Sequence, residues 1–176
     1  MKKLIMLNGT MGVGKSTVCS LLLKKLQPAV YLDGDWCWNM WPFVVSEENK
    51  EMALNNIAYL LRSFLDNSGY ETVIFCWVIH QEEIFHQILT RLQGKEFELH
   101  QFTLICTRQT LRERLEKDVQ HGLRQEDVIG RSMARLPLYE KMNTIKIWVD
   151  NCTPEEAAEK IQALIGSGIE REKDGA

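Results

Sequence analysis

Apolar residues along the chain follow two alternating patterns. Five short runs rich in Val, Ile, Leu and Phe are separated by longer segments in which apolar positions recur at helical spacing. The runs are residues 3–7, 29–32, 72–79, 102–107 and 145–149. Several runs are apolar throughout, which is typical of strands that helices cover on both faces. The patterning therefore predicts a central parallel sheet in an α/β fold.

The segments between the runs predict helices. Apolar positions recur at helical spacing over residues 16–26, 47–66, 81–93, 110–119 and 155–165. The last of these begins with Thr153-Pro154-Glu155-Glu156, an N-cap residue followed by a proline and an acidic first turn. Strands and helices thus alternate along the whole chain.

Length and composition fit a single globular domain. The chain has 176 residues, of which 45% are hydrophobic and 26% are charged. We expect one domain over residues 1–165, a small lid within it around residues 120–135, and a flexible tail at residues 166–176. The 21 basic and 24 acidic residues give a formal net charge of −3, which disfavours stable nucleic-acid binding.

The N-terminal residues and the cysteines indicate the cellular setting. The apolar stretch after Lys2 and Lys3 is only four residues long, so no signal peptide is expected, and no run approaches the roughly 20 apolar residues of a spanning helix. Five cysteines without a C-x-x-C pair disfavour both a disulfide framework and a zinc site. We expect a soluble cytoplasmic protein, a monomer or homodimer without a membrane partner.

The strongest chemical signal is a glycine-rich loop after the first run. Residues 9–16 form a complete G-x-x-x-x-G-K-[ST] motif between a predicted strand and a predicted helix. Its backbone N–H groups and the helix N-terminus suit a polyphosphate, Lys15 suits the β and γ oxygens, and the Ser16 hydroxyl suits Mg²⁺. The loop predicts binding of a nucleoside triphosphate. The predicted cofactor-binding residues here are Gly9, Thr10, Met11, Gly12, Val13, Gly14, Lys15, Ser16 and Thr17.

Two carboxylates, Asp33 and Asp35, follow the second run. In an open α/β sheet this position lies at the carboxyl edge of the strands, where ligands bind. In phosphoryl transfer one carboxylate can accept the proton of the attacking hydroxyl while another helps to hold Mg²⁺. Asp35 is the candidate base, Asp33 is the candidate metal ligand, and both are candidate substrate contacts. The alternative is that the pair only caps a turn, as Asp-Gly sequences often do.

Aromatic side chains crowd the segment after these carboxylates. Trp36, Trp38, Trp41 and Phe43 lie within eight residues, which suggests a flat or apolar acceptor. The alternative is that these rings pack as core under the next helix. Trp36 is expected to lie nearest to the ligand.

The third run lacks the aspartate that many NTPases carry at its end to hold Mg²⁺. Trp77 and His80 occur there instead, so a second metal carboxylate must come from Asp33 or Asp35, unless the metal relies on Ser16 and the phosphates alone. His80 is a candidate substrate contact. A helix-capping or packing role for His80 stays open.

Six arginines lie between residues 107 and 135. Arg131 and Arg135 are four residues apart, so both can point at one anion from the same face of a helix. They are the candidate catalytic arginines, next to a glycine-containing segment that could act as the hinge of a lid. Arg114 suits stacking on a purine ring. The alternative is a solvated helix face with acidic partners, which is the expected role of Arg112 and Arg108, whereas a functional role is favoured for Arg131 and Arg135.

Together these residues resemble small P-loop kinases of the nucleoside-monophosphate, shikimate, gluconate and antibiotic-phosphotransferase kind. The resemblance spans residues 1 to about 165. It rests on the glycine-rich loop of residues 9–16, called the phosphate loop below, and on four further features. These are Asp33-x-Asp35, Leu111-x-x-Arg114-Leu115, the arginine-bearing lid and Asp150-Asn151 before the last helix. Within that group, residues 77–85 and 102–106 with Thr110-Leu111 are most similar to the tunicamycin-resistance ATP-binding proteins.

The resemblance implies a three-layer α/β/α P-loop NTPase fold with a five-stranded parallel sheet in the order 2-3-1-4-5. It also implies ATP and Mg²⁺ as cofactors, Arg114 and Asn151 at the nucleotide, lid arginines at the transferring phosphate and Asp35 near the acceptor. The expected activity is transfer of the γ-phosphate to a hydroxyl of a small molecule that is nucleoside- or nucleotide-like, sugar-acid-like or antibiotic-like. The alternative is an ATP-binding resistance or sensor protein that sequesters a hydrophobic ligand without phosphorylating it.

Two positions depart from the pattern of these kinases and bear on the acceptor. Asp118 stands where relatives often carry a second arginine, and in the second helix only Arg62 is available to hold a phosphorylated acceptor. A neutral or apolar hydroxyl compound is therefore favoured as the acceptor.

Overall fold

Five parallel strands form one sheet in the computed structural model, which describes residues 1–167. The strands are β1 (Lys2–Asn8), β2 (Ala29–Asp33), β3 (Thr72–Trp77), β4 (Phe97–Ile105) and β5 (Ile145–Trp148). Their order across the sheet is β2-β3-β1-β4-β5, and every neighbouring pair is parallel. The predicted α/β fold and strand order are confirmed.

Helices cover both faces of this sheet. They are α1 (Lys15–Lys25), a 3-10 helix (Gly34–Trp38), α2 (Glu47–Asp66), α3 (Glu82–Arg91), α4 (Arg108–Gln120), α5 (Asp127–Glu140) and α6 (Pro154–Gly166). The predicted start of α6 is confirmed, because Thr153 and Glu156 form a capping box with Pro154 at the first helical position.

The alternation of β1 explains the three layers. Leu4 and Met6 pack into an apolar cluster with α2 and α3, whereas Ile5 and Leu7 pack into a second cluster with α1, α4 and α6. Each of the four side chains is at most 1% exposed. Because successive strand residues point to opposite faces, this strand reads as one continuous apolar run when both faces are buried.

Two elements differ from the sequence-based expectation. β4 begins at Phe97, five residues before the predicted run, and this first half pairs with β1 but has no β5 neighbour, since β5 pairs only from Phe102 onward. Because this half lies at an open edge of the sheet, it tolerates polar residues. These residues interrupt the apolar pattern from which a strand is predicted. α5 was not predicted as an element over its full length, because Gly130 and Pro137 lie inside it and weaken its helical pattern.

The structure describes only part of the predicted tail, and it bears on the expectation that no helix spans a membrane. Gly166, expected to begin the tail, is the last residue of α6, and residues 168–176 lie outside the described residues. Over residues 1–167, no helix is long and apolar enough to cross a membrane. The single domain over residues 1–165, the lid around residues 120–135 and the oligomeric state stay predictions.

Candidate functional site

The glycine-rich loop connects β1 to α1 and needs its glycines. Gly12 and Gly14 adopt φ values of +81° and +103°, a backbone region that residues other than glycine rarely adopt. A Cβ at Gly9 would lie 2.7 Å from the Leu104 carbonyl oxygen, and one at Gly12 would lie 2.5 Å from a methyl carbon of Leu115. The loop therefore packs closely against the end of β4 and the middle of α4 and presents its backbone to the carboxyl edge of the sheet.

One cavity of about 730 Å³ lies over this loop. Its wall includes the loop from Met11 to Val18, the two carboxylates Asp33 and Asp35, and residues of α4 and the turn that follows α4. The cavity thus brings the backbone of the glycine-rich loop together with both acidic and basic side chains. Its volume is that of an ordinary small-molecule site.

Lys15 is held inside the loop. Its Nζ donates a hydrogen bond to the Thr10 carbonyl oxygen at 3.0 Å. Burial lowers the pKa of Lys15 below its usual value, while the nearby charges of Asp35 and Asp33 act in the opposite direction. An incoming polyphosphate would add negative charge at this ammonium and favour its protonated form.

Asp33 takes the turn-capping role and also contacts the loop. Its Oδ1 accepts the backbone N–H of Asp35 at 3.1 Å, which caps the 3-10 helix. Its Oδ2 accepts hydrogen bonds from the hydroxyls of Ser16 and Tyr31, each at 2.9 Å. Asp33 and Ser16 therefore present two oxygens side by side, which fits the preference of Mg²⁺ for oxygen ligands.

A magnesium ion would need further oxygens at this place. Within residues 1–167, no group of three or more His, Cys, Asp or Glu side chains could hold a metal ion. Phosphate oxygens of a bound nucleotide are the ligands that Mg²⁺ ordinarily shares with one or two protein groups. The Ser16 and Asp33 pair thus suits a metal that arrives with ATP.

Asp35 points to a different partner. Its Oδ1 accepts the indole N–H of Trp77 at 3.1 Å, and Asp35 also lines the cavity. Partial removal of water, followed by the negative charge of Asp33, raises the pKa of Asp35, although Lys15, Trp77 and Arg124 oppose this. The Trp77 contact requires a glycine beside it, since a Cβ at Gly34 would lie 2.5 Å from Cγ of Trp77.

Trp77 is the residue at this site that sequence reasoning undervalued. It occupies the end of β3, the position at which many NTPases carry a metal-binding aspartate. Its indole N–H donates to Asp35, which follows the neighbouring strand β2. The available signal was the Gly34-Asp35 pair next to a strand that ends in a large aromatic residue.

Arg114 lines the cavity and ties two of its walls together. Its guanidinium donates hydrogen bonds to the Val13 carbonyl oxygen at 3.2 Å and to the Val149 carbonyl oxygen at 2.6 Å. The phosphate loop is thereby linked to the residue that follows β5. Asn151, which the resemblance placed at the nucleotide, is exposed and is not among the residues that line the cavity.

The arginines of the predicted lid occupy different places. Arg124 lines the cavity, pairs with Asp118 at 2.9 Å and is close enough to lower the pKa of Asp35. Arg131 forms an ion pair with Asp127 in its own helix at 2.9 Å, and neither Arg131 nor Arg135 lines the cavity. Sequence reasoning passed over Arg124, although it lies in the polar Gly-containing segment that suggested the lid.

Trp36 and His80 lie outside the cavity wall. Trp36 is 63% exposed and contacts the ring of Tyr31 edge-on, with 5.6 Å between ring centroids. His80 is partly buried, which lowers its pKa, and Arg135 adds to this effect. Its Nδ1 lies 3.3 Å from the Val78 carbonyl oxygen. The substrate-binding roles of both residues stay predictions.

Sequence comparison assigns the chain to a family. A family model described as an AAA domain matches residues 5–133. The chain belongs to this AAA domain family. A search among curated proteins finds no match to this chain.

Several solved structures share the fold of this chain along nearly its whole length. The tunicamycin resistance protein of Deinococcus radiodurans has 22% identity and a TM-score of 0.67, covering 94% of this chain and 96% of that one. A gluconokinase of Sinorhizobium meliloti has 15% identity and a TM-score of 0.65, with 94% of each chain covered. The shikimate kinase of Acinetobacter baumannii has 19% identity and a TM-score of 0.63, with 97% of each chain covered.

At these identities the similarity shows the common fold. The resemblance to small P-loop kinases is therefore confirmed at the level of family and fold. Fold alone does not assign an activity, which has to be argued from the site.

Proposed function

We propose that this protein is an ATP-dependent phosphotransferase that moves the γ-phosphate to a hydroxyl of a small molecule. The observation that carries the proposal is that one cavity joins the phosphate loop, the carboxylate of Asp35 and the guanidinium of Arg124. The kinases among the similar structures support the same class of reaction. ATP and an uncharged small acceptor are the proposed partners.

Each group has a part in the proposed reaction. The backbone of the loop and Lys15 bind the phosphates, and Ser16 with Asp33 would hold Mg²⁺, which neutralises phosphate charge when it is bound. Asp35 accepts the proton of the acceptor hydroxyl while the oxygen of that hydroxyl forms a bond to the γ-phosphorus. The bond from that phosphorus to the bridging β oxygen breaks, and ADP leaves. Arg124 stabilises the charge on the transferring group.

The turn-cap alternative for Asp35 bears directly on this proposal. Asp33 supplies the cap and the contact to Ser16, which leaves the side chain of Asp35 facing the cavity with one indole N–H as its partner. A raised pKa suits a general base, because proton transfer is most effective when the pKa of the base lies closer to the working pH.

A screen for ADP release tests the proposal. Purified protein with ATP and Mg²⁺ is mixed with hydroxyl compounds of several classes, including nucleosides, sugars, sugar acids and apolar alcohols. We expect at least one class to stimulate ADP release and to yield a phosphorylated product by mass spectrometry, with the Lys15→Met variant as the background. Binding of ATP without phosphorylation of any compound in the panel would contradict the proposal.

Loss of the Lys15 charge is expected to weaken ATP binding by at least tenfold. Removing one charged contact to the phosphates costs roughly 1.4 kcal/mol or more, which corresponds to this factor. The variant is Lys15→Met, and the measurement is titration calorimetry with ATP and Mg²⁺. Lys24→Met, an exposed lysine in the last turn of the same helix, is the matched control and should bind ATP like the wild type. Equal affinity of Lys15→Met and wild type would exclude this role of the loop.

The Trp77 indole is expected to lower the pH at which the rate of phosphoryl transfer begins to fall in acid, the acid limb of the pH–rate profile. Its hydrogen bond favours the ionised form of Asp35, so Trp77→Phe should raise the pKa of Asp35 further and move the limb to higher pH. The rate on the plateau should change little. We expect the same upward shift when the Asp35 carboxyl is followed by carbon-detected NMR.

Trp38→Phe provides the control for this measurement. The ring of Trp38 contacts Trp77, with 6.3 Å between centroids, and no hydrogen bond joins it to Asp35. Its acid limb should coincide with that of the wild type. A limb that stays in place in Trp77→Phe, or that moves equally in both variants, would show that the indole does not tune Asp35.

The sequestering alternative is supported by a separate observation. Beyond Asp35 the chain exposes Trp36, Trp41 and Phe43, of which Trp41 is 96% exposed. A protein that only binds a hydrophobic ligand would use this surface without needing Asp35 as a base. Tight binding of apolar compounds without ADP release in the screen above would favour this second function.

A further inference from the structure

A row of aromatic rings connects the candidate base to the protein surface. Trp77 donates its indole N–H to Asp35, Trp38 lies against Trp77 with 6.3 Å between ring centroids, and Phe43 lies against Trp38 at 6.1 Å. We refer to Trp77, Trp38 and Phe43 as the aromatic row. It begins beside Asp35, which lines the cavity, and ends at a side chain that is 58% exposed.

Exposed apolar residues surround the outer end of the row. Trp41, Val44 and Val45 are 96%, 47% and 61% exposed, and with Phe43 they make four exposed apolar residues in five consecutive positions. We refer to these four residues as the apolar rim. Single exposed apolar side chains are common, whereas contiguous ones next to a cavity are typical of ligand-binding surfaces.

Charge is distributed unevenly between the two sides of the site. Residues 34–46, which carry the 3-10 helix and the apolar rim, contain no lysine or arginine, and Asp35 is their only charged residue. The basic groups in the cavity wall, by contrast, belong to the phosphate loop and to α4 with the turn that follows it: Lys15, Arg114, Lys117 and Arg124. An anionic acceptor would therefore find no cationic side chain within residues 34–46.

We propose that the aromatic row and the apolar rim bind the apolar part of the acceptor, which is an uncharged alcohol with a hydroxyl at Asp35. This inference rests on the proposed phosphotransfer and names the class of its acceptor. The occupant follows from continuity with the site: the row starts at the residue that holds Asp35, so an acceptor whose hydroxyl reaches Asp35 places its remainder along these rings. The absence of lysine and arginine in residues 34–46 disfavours a phosphate or carboxylate as the group that this segment recognises.

A homologous series of uncharged alcohols tests the surface. The probes are n-alkyl β-glucosides from methyl to octyl, kept below their micelle concentrations, and binding is measured by calorimetry in the presence of ADP and Mg²⁺. We expect affinity to rise by about two- to fourfold for each added CH₂ group, since full burial of one CH₂ corresponds to roughly fourfold and this wall is half open to water. Alkyl glucuronides of equal chain length, which carry a carboxylate, should bind more weakly.

Substitutions on the surface locate the effect. Phe43→Ser and Val45→Ser alter exposed side chains, so both variants should fold, and both should flatten the dependence of affinity on chain length. Trp148→Ser is the matched control, because Trp148 is 54% exposed on β5, at the opposite edge of the sheet from β2. Its chain-length dependence should equal that of the wild type.

The outcomes separate this inference from the proposed function. Affinity that does not depend on chain length, a dependence that persists in Phe43→Ser and Val45→Ser, or glucuronides that bind as well as glucosides would overturn the inference. ADP release stimulated by polar alcohols alone would also overturn it while leaving the phosphotransfer intact. A chain-length dependence that maps to Phe43, without ADP release with any alcohol, would support the binding surface and contradict the phosphotransfer.

Discussion

Asp35→Asn is expected to lower acceptor-stimulated phosphoryl transfer by about 10²- to 10⁴-fold, the usual contribution of a general base. Asparagine keeps the shape of the side chain and can still accept the Trp77 indole N–H, but it cannot take the proton of the acceptor hydroxyl. ATP affinity should stay within about twofold of the wild type, because the loop and Lys15 are untouched. The measurement is kcat from ADP release, with nucleotide binding followed by calorimetry on the same preparation.

The stability of the same variant checks the environment of Asp35. The pKa of Asp35 is raised in the folded protein, so the folded state binds the proton more tightly than the unfolded state does. The stability that this preference contributes is present below the ordinary carboxyl pKa and is lost as pH rises through the raised pKa. Asp35→Asn should therefore have a slightly higher Tm than the wild type at neutral pH, and the difference should vanish in acid.

A purely structural role for Asp35 predicts a different result for both activity and Tm in Asp35→Asn. A turn-capping aspartate tolerates asparagine well, so activity and Tm would both stay near the wild-type values. Full activity in Asp35→Asn would exclude the base. A large loss of activity together with a lower Tm at neutral pH would indicate damage to the fold instead.

The parts of the fold that sequence predicted best depend on local physics. The apolar run of β1 reflects burial on both faces, and the phosphate loop reflects glycine geometry between a strand and a helix. Both signals lie within a few residues of one another in the chain. The strand order then followed from the resemblance to small P-loop kinases, which the sheet confirms.

Contacts between distant residues could not be predicted in this way. The indole of Trp77 reaches Asp35 across 42 positions of the chain, and Gly34 matters only because that indole passes over it. Sequence patterns locate a residue on an element, whereas the direction of its side chain depends on neighbours from other elements. The contact between Trp77 and Asp35 therefore depends on the pairing of β2 with β3, which the local sequence pattern does not show.

The arginines of the predicted lid illustrate the same limit. A spacing of four residues placed Arg131 and Arg135 on one face of a helix, and α5 is indeed helical there. Spacing does not determine what that face contacts. Asp127, one turn earlier in α5, pairs with Arg131, and neither Arg131 nor Arg135 lines the cavity. Arg124 reaches the cavity from the turn before α5, where periodicity carries no information.

Arg124→Ala is expected to lower kcat by about 10²- to 10³-fold with little change in the affinity for ATP, the size of effect seen when one preorganised donor to a developing charge is removed. Arg124 lines the same cavity as the phosphate loop, and its charge acts on Asp35. Its ion pair with Asp118 must open or shift for the guanidinium to contact a transferring phosphate. Asp118→Asn should accordingly leave kcat at or above the wild-type value.

Arg131→Ala and Arg135→Ala serve as matched controls for Arg124→Ala. Arg131 and Arg135 lie on α5 within the predicted lid, and neither lines the cavity, so both variants should turn over within about threefold of the wild type. Single-turnover measurements with the acceptor found in the screen separate the chemical step from product release. A loss in Arg131→Ala or Arg135→Ala as large as that in Arg124→Ala would return the catalytic role to the pair that the sequence favoured, through a closure that brings α5 over the cavity. A loss confined to Arg124→Ala would place the transition-state contact at the turn after α4.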